Sequence, residues 1–131
     1  MNQNMSIMVV DDELVVRESL YHWFDREDYH VETASSGDEA LKKLMKSNFD
    51  VLFVDMKMPG MSGFELLKKT KELYPDAAVV IITAYGSIDT AVKAMKAGAS
   101  DYLLKPFKPD QLSLVMEKVL RQKKMNDEFG M

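Results

Sequence analysis

Cysteine is absent from the 131-residue sequence, and so are a long apolar run and a basic N-terminal segment. The lack of cysteine excludes a disulfide framework, Cys-ligated zinc and thiol redox chemistry. The longest apolar run, Ala77 to Ile82, is too short to span a bilayer, and the N-terminal MNQNMSIMVV lacks the positive charge of a signal peptide. We therefore expect a soluble, cytoplasmic protein without a membrane partner.

An excess of positive charge is also missing, since 17 basic residues stand against 21 acidic ones and leave a net charge of -4. This balance gives no electrostatic footprint for nucleic acid, so we expect no direct nucleic acid binding by this domain. The length suits one domain that buries a core without structural metal.

Continuous apolar runs rich in valine and isoleucine are present, and they are typical of strands buried on both faces of a parallel sheet. These runs are Ile7 to Val10, Val51 to Val54 and Ala77 to Ile82, and weaker strands are predicted at His30 to Thr33 and Asp101 to Leu104.

Segments with helical spacing separate the predicted strands. Capping boxes, in which a serine and the glutamate three residues later bind each other's backbone N–H, indicate helix starts at Ser36 and Ser62. Asn48 and Gly98 are predicted to end helices in the left-handed conformation, and Pro75 follows another helix. The clearest apolar stripes are Leu112, Val115, Met116, Val119 and Leu120, and Ile88, Ala91, Val92 and Met95.

Strand and helix alternate five times, which predicts an α/β fold: a doubly wound, five-stranded parallel sheet with five helices, flavodoxin-like. The sequence does not show the strand order, and we take 2-1-3-4-5 as a common order for this pattern. The predicted domain covers residues 5–124. Residues 125–131 are expected to form a tail, either a fraying helix end or the start of a linker.

Polar residues stand at the carboxyl ends of the predicted strands, where open α/β sheets bind ligands. They are Asp11, Asp12, Asp55, Thr83 and Lys105. Close carboxylates repel each other by roughly 4 kcal/mol per pair at an effective dielectric constant near 20, so a cation must lie among them. Oxygen ligands without His or Cys favour a hard ion, and a small acidic site that shares a phosphate favours Mg²⁺.

A divalent cation, a lysine and a hydroxyl beside a carboxylate are the groups that phosphoryl transfer needs. Asp55 is the predicted acceptor because it stands alone after a central strand and precedes the turn MKMPGMSG. Asp11 and Asp12 are adjacent and point in different directions, which suits direct and water-mediated metal ligation. Thr83 is placed to hydrogen-bond a phosphoryl oxygen.

Four motifs resemble response-regulator receiver domains of two-component signalling: VVDDE at 9–13, VDMKMPGMSG at 54–63, ITAYG at 82–86 and DYLLKPF at 101–107. The sequence from ITAYG to DYLLKPF resembles most closely the receivers of nitrogen-regulator-type enhancer-binding transcription activators. The chain would then be a stand-alone receiver or a fragment of a longer regulator.

The resemblance implies a phosphorylation-activated switch that catalyses only its own phosphorylation and dephosphorylation. Asp55 would accept a phosphoryl group from a histidine kinase, with Mg²⁺ bound by Asp11, Asp12, Asp55 and the backbone carbonyl of Lys57. Thr83 and Tyr102 would form the switch pair, and Lys105 would contact the phosphoryl group, with a cis bond before Pro106. The 88–120 face would change to control a partner, a homodimer or a transcriptional output.

Several alternatives stay open. A Mg²⁺-dependent aspartyl-phosphate phosphohydrolase shares the chemistry, but it would carry an acid two residues past the nucleophile, where Lys57 stands. A nucleotide or flavin module would need a Gly-rich loop after the first strand, and DDELVVRE stands there. A phosphorylation-independent interaction module is the third alternative. The roles of Lys57 and Tyr85, both two residues past a site residue, are undecided.

Ordinary structural roles compete with these functional ones. Asp12 alone suits the N-cap of the next helix. The remaining candidates are predicted to be structural: His22 and His30 at the surface, Met56, Met58 and Met61 as core filler rather than partner surface, and Arg121, Lys123 and Lys124 at a helix C-terminus.

Overall fold

The computed structural model describes residues 5–84 and 88–129, with side chains as far as residue 125. Strands and helices alternate along the chain. The strands are β1 (Ser6–Val10), β2 (His30–Ala34), β3 (Val51–Asp55), β4 (Ala78–Ala84) and β5 (Asp101–Lys105). The helices are α1 (Leu14–Arg26), α2 (Gly37–Lys46), α3 (Gly63–Leu73), α4 (Ile88–Lys96) and α5 (Pro109–Phe129).

All strand pairs are parallel, and the order is β2-β1-β3-β4-β5. The predicted fold class and strand order are thus confirmed. Each predicted strand is found with its ends moved by one or two residues. Backbone pairing between strands continues through Asp55, Thr83 and Lys105. These residues therefore belong to the ends of their strands and do not follow them.

The central strands are buried on both faces, and two apolar cores result. On one face α1 and α5 cover the sheet through Leu20, Phe24, Val115 and Val119. On the other face α2, α3 and α4 cover it, with Leu66 and Leu67 of α3 fully buried. The strand arrangement brings the ends of β1, β3, β4 and β5 to one edge of the molecule.

Both predicted capping boxes form only in part. Ser36 Oγ accepts a hydrogen bond from Glu39 N at 3.1 Å, but the Glu39 carboxylate binds the N–H and hydroxyl of Ser35 instead of returning to Ser36. Ser62 Oγ accepts from Glu65 N at 3.2 Å and donates to Glu65 Oε1 at 3.5 Å. Both serines are N-caps, as predicted.

Helix ends match the prediction less well. Gly98 has φ of +110° and Pro75 follows α3, as expected. Asn48 was expected to be left-handed, but α2 ends earlier at an extended Ser47, and Asp28 is the non-glycine residue with positive φ in the described part of the chain.

Helix α5 continues to Phe129, so no break in structure marks the predicted domain boundary at residue 124. The basic cluster therefore lies inside the helix and not at its C-terminus, contrary to expectation. Lys123 Nζ instead donates to the Asp76 carbonyl at 2.7 Å. Within the described residues no helix is long and apolar enough to cross a membrane.

Candidate functional site

The acidic residues predicted from the strand ends meet at one place. Asp11, Asp12 and Asp55 each offer a carboxylate oxygen, and these oxygens lie within 4.8 Å of one another. Asp11 is wholly buried and Asp55 is 6% exposed, whereas Asp12 is exposed. The two neighbouring aspartates thus differ in burial, with Asp11 inside the edge and Asp12 at its surface.

Local backbone structure holds the first aspartate in place. Asp11 Oδ1 accepts a hydrogen bond from Glu13 N at 2.9 Å, and its own carbonyl accepts one from Arg17 Nη1 at 2.7 Å. The N-cap of α1 is Glu13, so the alternative role of Asp12 as an N-cap is not found. Sequence reasoning missed Arg17, whose position one turn into α1 carries no motif of its own.

Lys105 supplies the positive charge of the site. Its Nζ lies 3.1 Å from Asp11 Oδ2, 3.1 Å from Glu13 Oε1 and 3.7 Å from Asp55 Oδ2. Burial lowers the pKa of Lys105, but the ion-pair contact with Asp11, the charge of Asp55 and the hydrogen bond to Glu13 outweigh it and raise that pKa. The ammonium is therefore charged at neutral pH and shared among three carboxylates.

The surroundings of Asp55 disfavour the ionised form of its carboxyl group. Burial and then the neighbouring charge of Asp11 raise its pKa from 3.8 to about 6, although Lys105 and the backbone N–H of Lys57 lower it. That N–H donates to Asp55 Oδ1 over a long 3.4 Å. The carboxylate is thus ionised at neutral pH, held by few donors and available to a cation or an electrophile.

The residues fit a divalent cation. Asp11 Oδ2 is buried and forms an ion pair with Lys105 Nζ at 3.1 Å but has no hydrogen-bond partner, so it can still bind a cation. Three carboxylates and one lysine leave excess negative charge in a partly buried place, and hard oxygen donors are those that Mg²⁺ selects. Asp11, Asp12 and Asp55 are the residues that would hold such an ion.

The remaining predicted residues lie on β4, on β5 and in the loop after β3. Thr83 is buried near the end of β4, and its hydroxyl donates weakly to the Ala84 carbonyl at 3.5 Å. Tyr102 lies on β5 and is 41% exposed. The side chain of Lys57 is exposed, and the bond before Pro106 is cis, as expected. Tyr85 lies outside the described residues.

The structural predictions for the histidines and methionines are confirmed. His22 and His30 are exposed. Met58 is buried, and Met56 and Met61 pack partly buried against the core that α2 and α3 cover, which confirms them as core filler.

Comparison with known proteins agrees with this fold. The model of the response regulator receiver domain matches residues 7–117. The transcriptional regulatory protein ZraR of Escherichia coli is 40% identical over 123 residues, which cover 91% of this chain and 27% of ZraR. The structure of NtrX from Brucella abortus is 35% identical, with a TM-score of 0.91 over 95% of this chain and 29% of that one. A receiver domain protein from Clostridium thermocellum is 36% identical, with a TM-score of 0.86 over 92% and 98% of the two chains.

A parallel α/β sandwich with polar groups at the carboxyl edge is typical of domains that bind ligands at the ends of their strands. This chain belongs to the response regulator receiver domain family, as the motifs implied. Its relatives include ZraR, AlgB, AtoC and NtrX, which are enhancer-binding activators of the nitrogen-regulator type. The chain spans about a quarter of the length of ZraR and AlgB.

Proposed function

We propose that this domain is a cytoplasmic, phosphorylation-activated switch that accepts a phosphoryl group from a histidine kinase on Asp55 with Mg²⁺. The observation that carries the proposal is the charge arrangement at the sheet edge. Three carboxylates lie within 4.8 Å of one another, and Lys105 is the cation beside them among the described residues. Excess negative charge there favours a divalent cation, and the cation in turn favours a phosphoryl group.

The transfer step follows from the positions of these groups. An ionised oxygen of Asp55 attacks the phosphorus of phosphohistidine, and an O–P bond forms as the P–N bond breaks. The imidazole nitrogen keeps the bonding electron pair and takes up a proton. Lys105 stabilises charge on the phosphoryl oxygens, and Mg²⁺ held by the aspartates and the Lys57 carbonyl would neutralise more of it.

Phosphorylation then changes the balance between two conformations. The new phosphoryl oxygens recruit Thr83 and Lys105 through about one to three charge-assisted hydrogen bonds, each worth roughly 1.5 to 3 kcal/mol. Inverting a 1:99 equilibrium takes about 5.5 kcal/mol. These bonds invert the equilibrium only if the two conformations are already close in energy, so the resting domain already populates a minor active state. Tyr102 then moves with Thr83 as the second residue of the switch.

The output surface is the apolar groove between α4 and β5, of about 360 Å³, lined by Ile88, Ala91, Val92, Met95, Lys96, Tyr102 and Leu104. Ile88 is 73% exposed, so the apolar stripe predicted on this helix faces outward in part instead of covering the sheet. An exposed apolar patch of this kind marks an interaction site. We assign it to a protein partner or a second copy in the phosphorylated state, with transcriptional output from the rest of a longer regulator.

Labelling by a small acyl phosphate tests the acceptor. Wild type incubated with Mg²⁺ should gain the mass of one phosphoryl group, and Asp55→Asn should gain none, as should wild type with a chelator. Asp50→Asn is a matched control, because Asp50 lies at the opposite end of β3 and binds Ser6 N. Full labelling of Asp55→Asn would refute the assignment, and turnover of small phosphate esters by wild type would favour the phosphohydrolase.

A further inference from the structure

Glu13 belongs to the site by contact, although it is neither the acceptor nor one of the clustered metal-binding aspartates. Its Oε1 accepts a hydrogen bond from Lys105 Nζ at 3.1 Å, across 92 positions of sequence. Lys105 Nζ also lies near Asp11 Oδ2 and Asp55 Oδ2, but with no hydrogen-bond geometry to either. Among the described residues, the hydrogen bond that Lys105 Nζ donates therefore goes to Glu13, while its contacts with Asp11 and Asp55 are ion pairs.

The position of Glu13 leaves its carboxylate free for this contact. Glu13 is the N-cap residue of α1, yet its side chain makes no capping hydrogen bond. The side chain is 62% exposed, whereas those of Asp11 and Asp55 are buried. Glu13 thus lies at the rim of the cluster, where it reaches the ammonium without entering the group of clustered oxygens.

A cation among the aspartates changes what Lys105 can bind. In the structure its ammonium neutralises Asp11 and Asp55, which are the carboxylates that a divalent cation would take. Like charges a few ångströms apart repel, so the ammonium loses these two partners when the cation enters. Glu13 lies outside the cluster and remains as its partner.

We propose that Glu13 is a positioning residue that retains Lys105 beside the acceptor when a divalent cation takes the three aspartates. The inference rests on the proposed function, because it concerns the same cation and the same phosphoryl group. With Glu13 present, a cation that displaces the Lys105 ammonium from the aspartates would leave it on Glu13, to which it is already hydrogen-bonded. Without it, the cation would compete against a lysine whose other ion-pair partners among the described residues are the aspartates themselves.

A double-mutant cycle on Mg²⁺ affinity tests this role. Calorimetric titration compares wild type, Glu13→Gln, Lys105→Met and the double variant, with Glu18→Gln as control because it removes the same charge from an exposed site one turn further along α1. We expect Glu13→Gln to weaken Mg²⁺ binding more than Glu18→Gln does. The loss should shrink by about threefold or more when Lys105 is already absent, as for residues in direct contact.

A spectroscopic readout separates positioning from simple charge. The side-chain NMR signal of Lys105 should keep the shift of an ion-paired ammonium when Mg²⁺ is added to wild type, and should move to that of a free lysine in Glu13→Gln. Strictly additive effects in the cycle, or identical Lys105 signals in the two proteins, would overturn the inference while leaving the proposed function intact. A wild type that binds no Mg²⁺ and accepts no phosphoryl group would overturn both.

Discussion

At the scale of single residues, the site holds three carboxylates that repel one another and one lysine that attracts them. Asp11 and Asp55 are buried carboxylates, and each forms an ion pair with Lys105. Their types and strand-end positions are visible in the sequence. Their burial and the hydrogen bond from Lys105 to Glu13 are not, because both depend on how far side chains reach across the folded edge.

The raised pKa of Asp55 predicts a pH dependence of stability without metal. The unfolded carboxyl loses its proton near its ordinary pKa of 3.8, while burial and the charge of Asp11 hold the folded pKa at about 6. Between these values the folded state binds more protons, so the free energy of unfolding falls as pH rises. The fall amounts to roughly 3 kcal/mol at most, and it is complete above the folded pKa.

Asp55→Asn removes this ionisation and should abolish that part of the fall. In the presence of a chelator at pH 7, the variant should be more stable than wild type by about 1 to 3 kcal/mol. Urea denaturation from pH 4 to pH 8 measures the difference between the two proteins. Parallel curves would contradict the assigned pKa, and added Mg²⁺ should stabilise wild type more than the variant.

At the scale of elements, the existence and order of strands and helices follow from hydrophobic pattern, but their ends follow from local competition. Glu39 was expected to return to Ser36 and binds Ser35 instead, since the neighbouring N–H and hydroxyl offer two donors at once. Asn48 was expected to end α2, yet an extended Ser47 does so first. The apolar stripe of α4 predicted a helix correctly but did not show that part of it stays uncovered.

Helix α3 begins directly against the acceptor strand, which makes Gly63 the tightest point of the site. A Cβ at Gly63 would lie 2.2 Å from the Asp55 carbonyl oxygen and 2.7 Å from Met56 Cα. Both are backbone atoms, which cannot shift without distorting the main chain. Gly63→Ala should therefore destabilise the domain by roughly 2 kcal/mol or more and slow phosphorylation by displacing Asp55.

Gly60→Ala is the matched control for that substitution. Gly60 has φ of +77° with open space around it, so alanine there meets backbone strain alone, at about 1 kcal/mol. Thermal denaturation and acyl-phosphate labelling of both variants check the prediction. Equal losses in the two variants would show that packing of α3 on the acceptor strand is unimportant.

At the scale of the whole molecule, the acidic edge and the groove between α4 and β5, which we propose as the phosphorylation site and the output surface, are joined by β4 and β5. Thr83 pairs with Leu104, and Leu104 lines the groove. A change at the acceptor can therefore reach the α4 face through one strand pair. The sequence indicates both surfaces, but their connection appears only once the strand register is known.

Association through the groove is the prediction at this scale. We expect wild type to increase in mass when it binds Mg²⁺ and beryllofluoride, which mimics a phosphoryl group. Val92 is 45% exposed on α4, so Val92→Gln should leave stability within about 0.5 kcal/mol and should abolish that increase. Met45→Gln changes an exposed apolar side chain on α2 and should leave that increase unchanged. Light scattering measures the mass, and an unaltered response in Val92→Gln would place the interface elsewhere.

The central claim is that Asp55 carries the phosphoryl group, and reductive trapping locates that group directly. Borohydride converts an aspartyl phosphate to homoserine, which peptide mass spectrometry assigns to a position. After treatment with a small acyl phosphate and Mg²⁺, the structure predicts homoserine at position 55 and unmodified aspartate at positions 11 and 12. Homoserine at another position, or at none, would contradict the account.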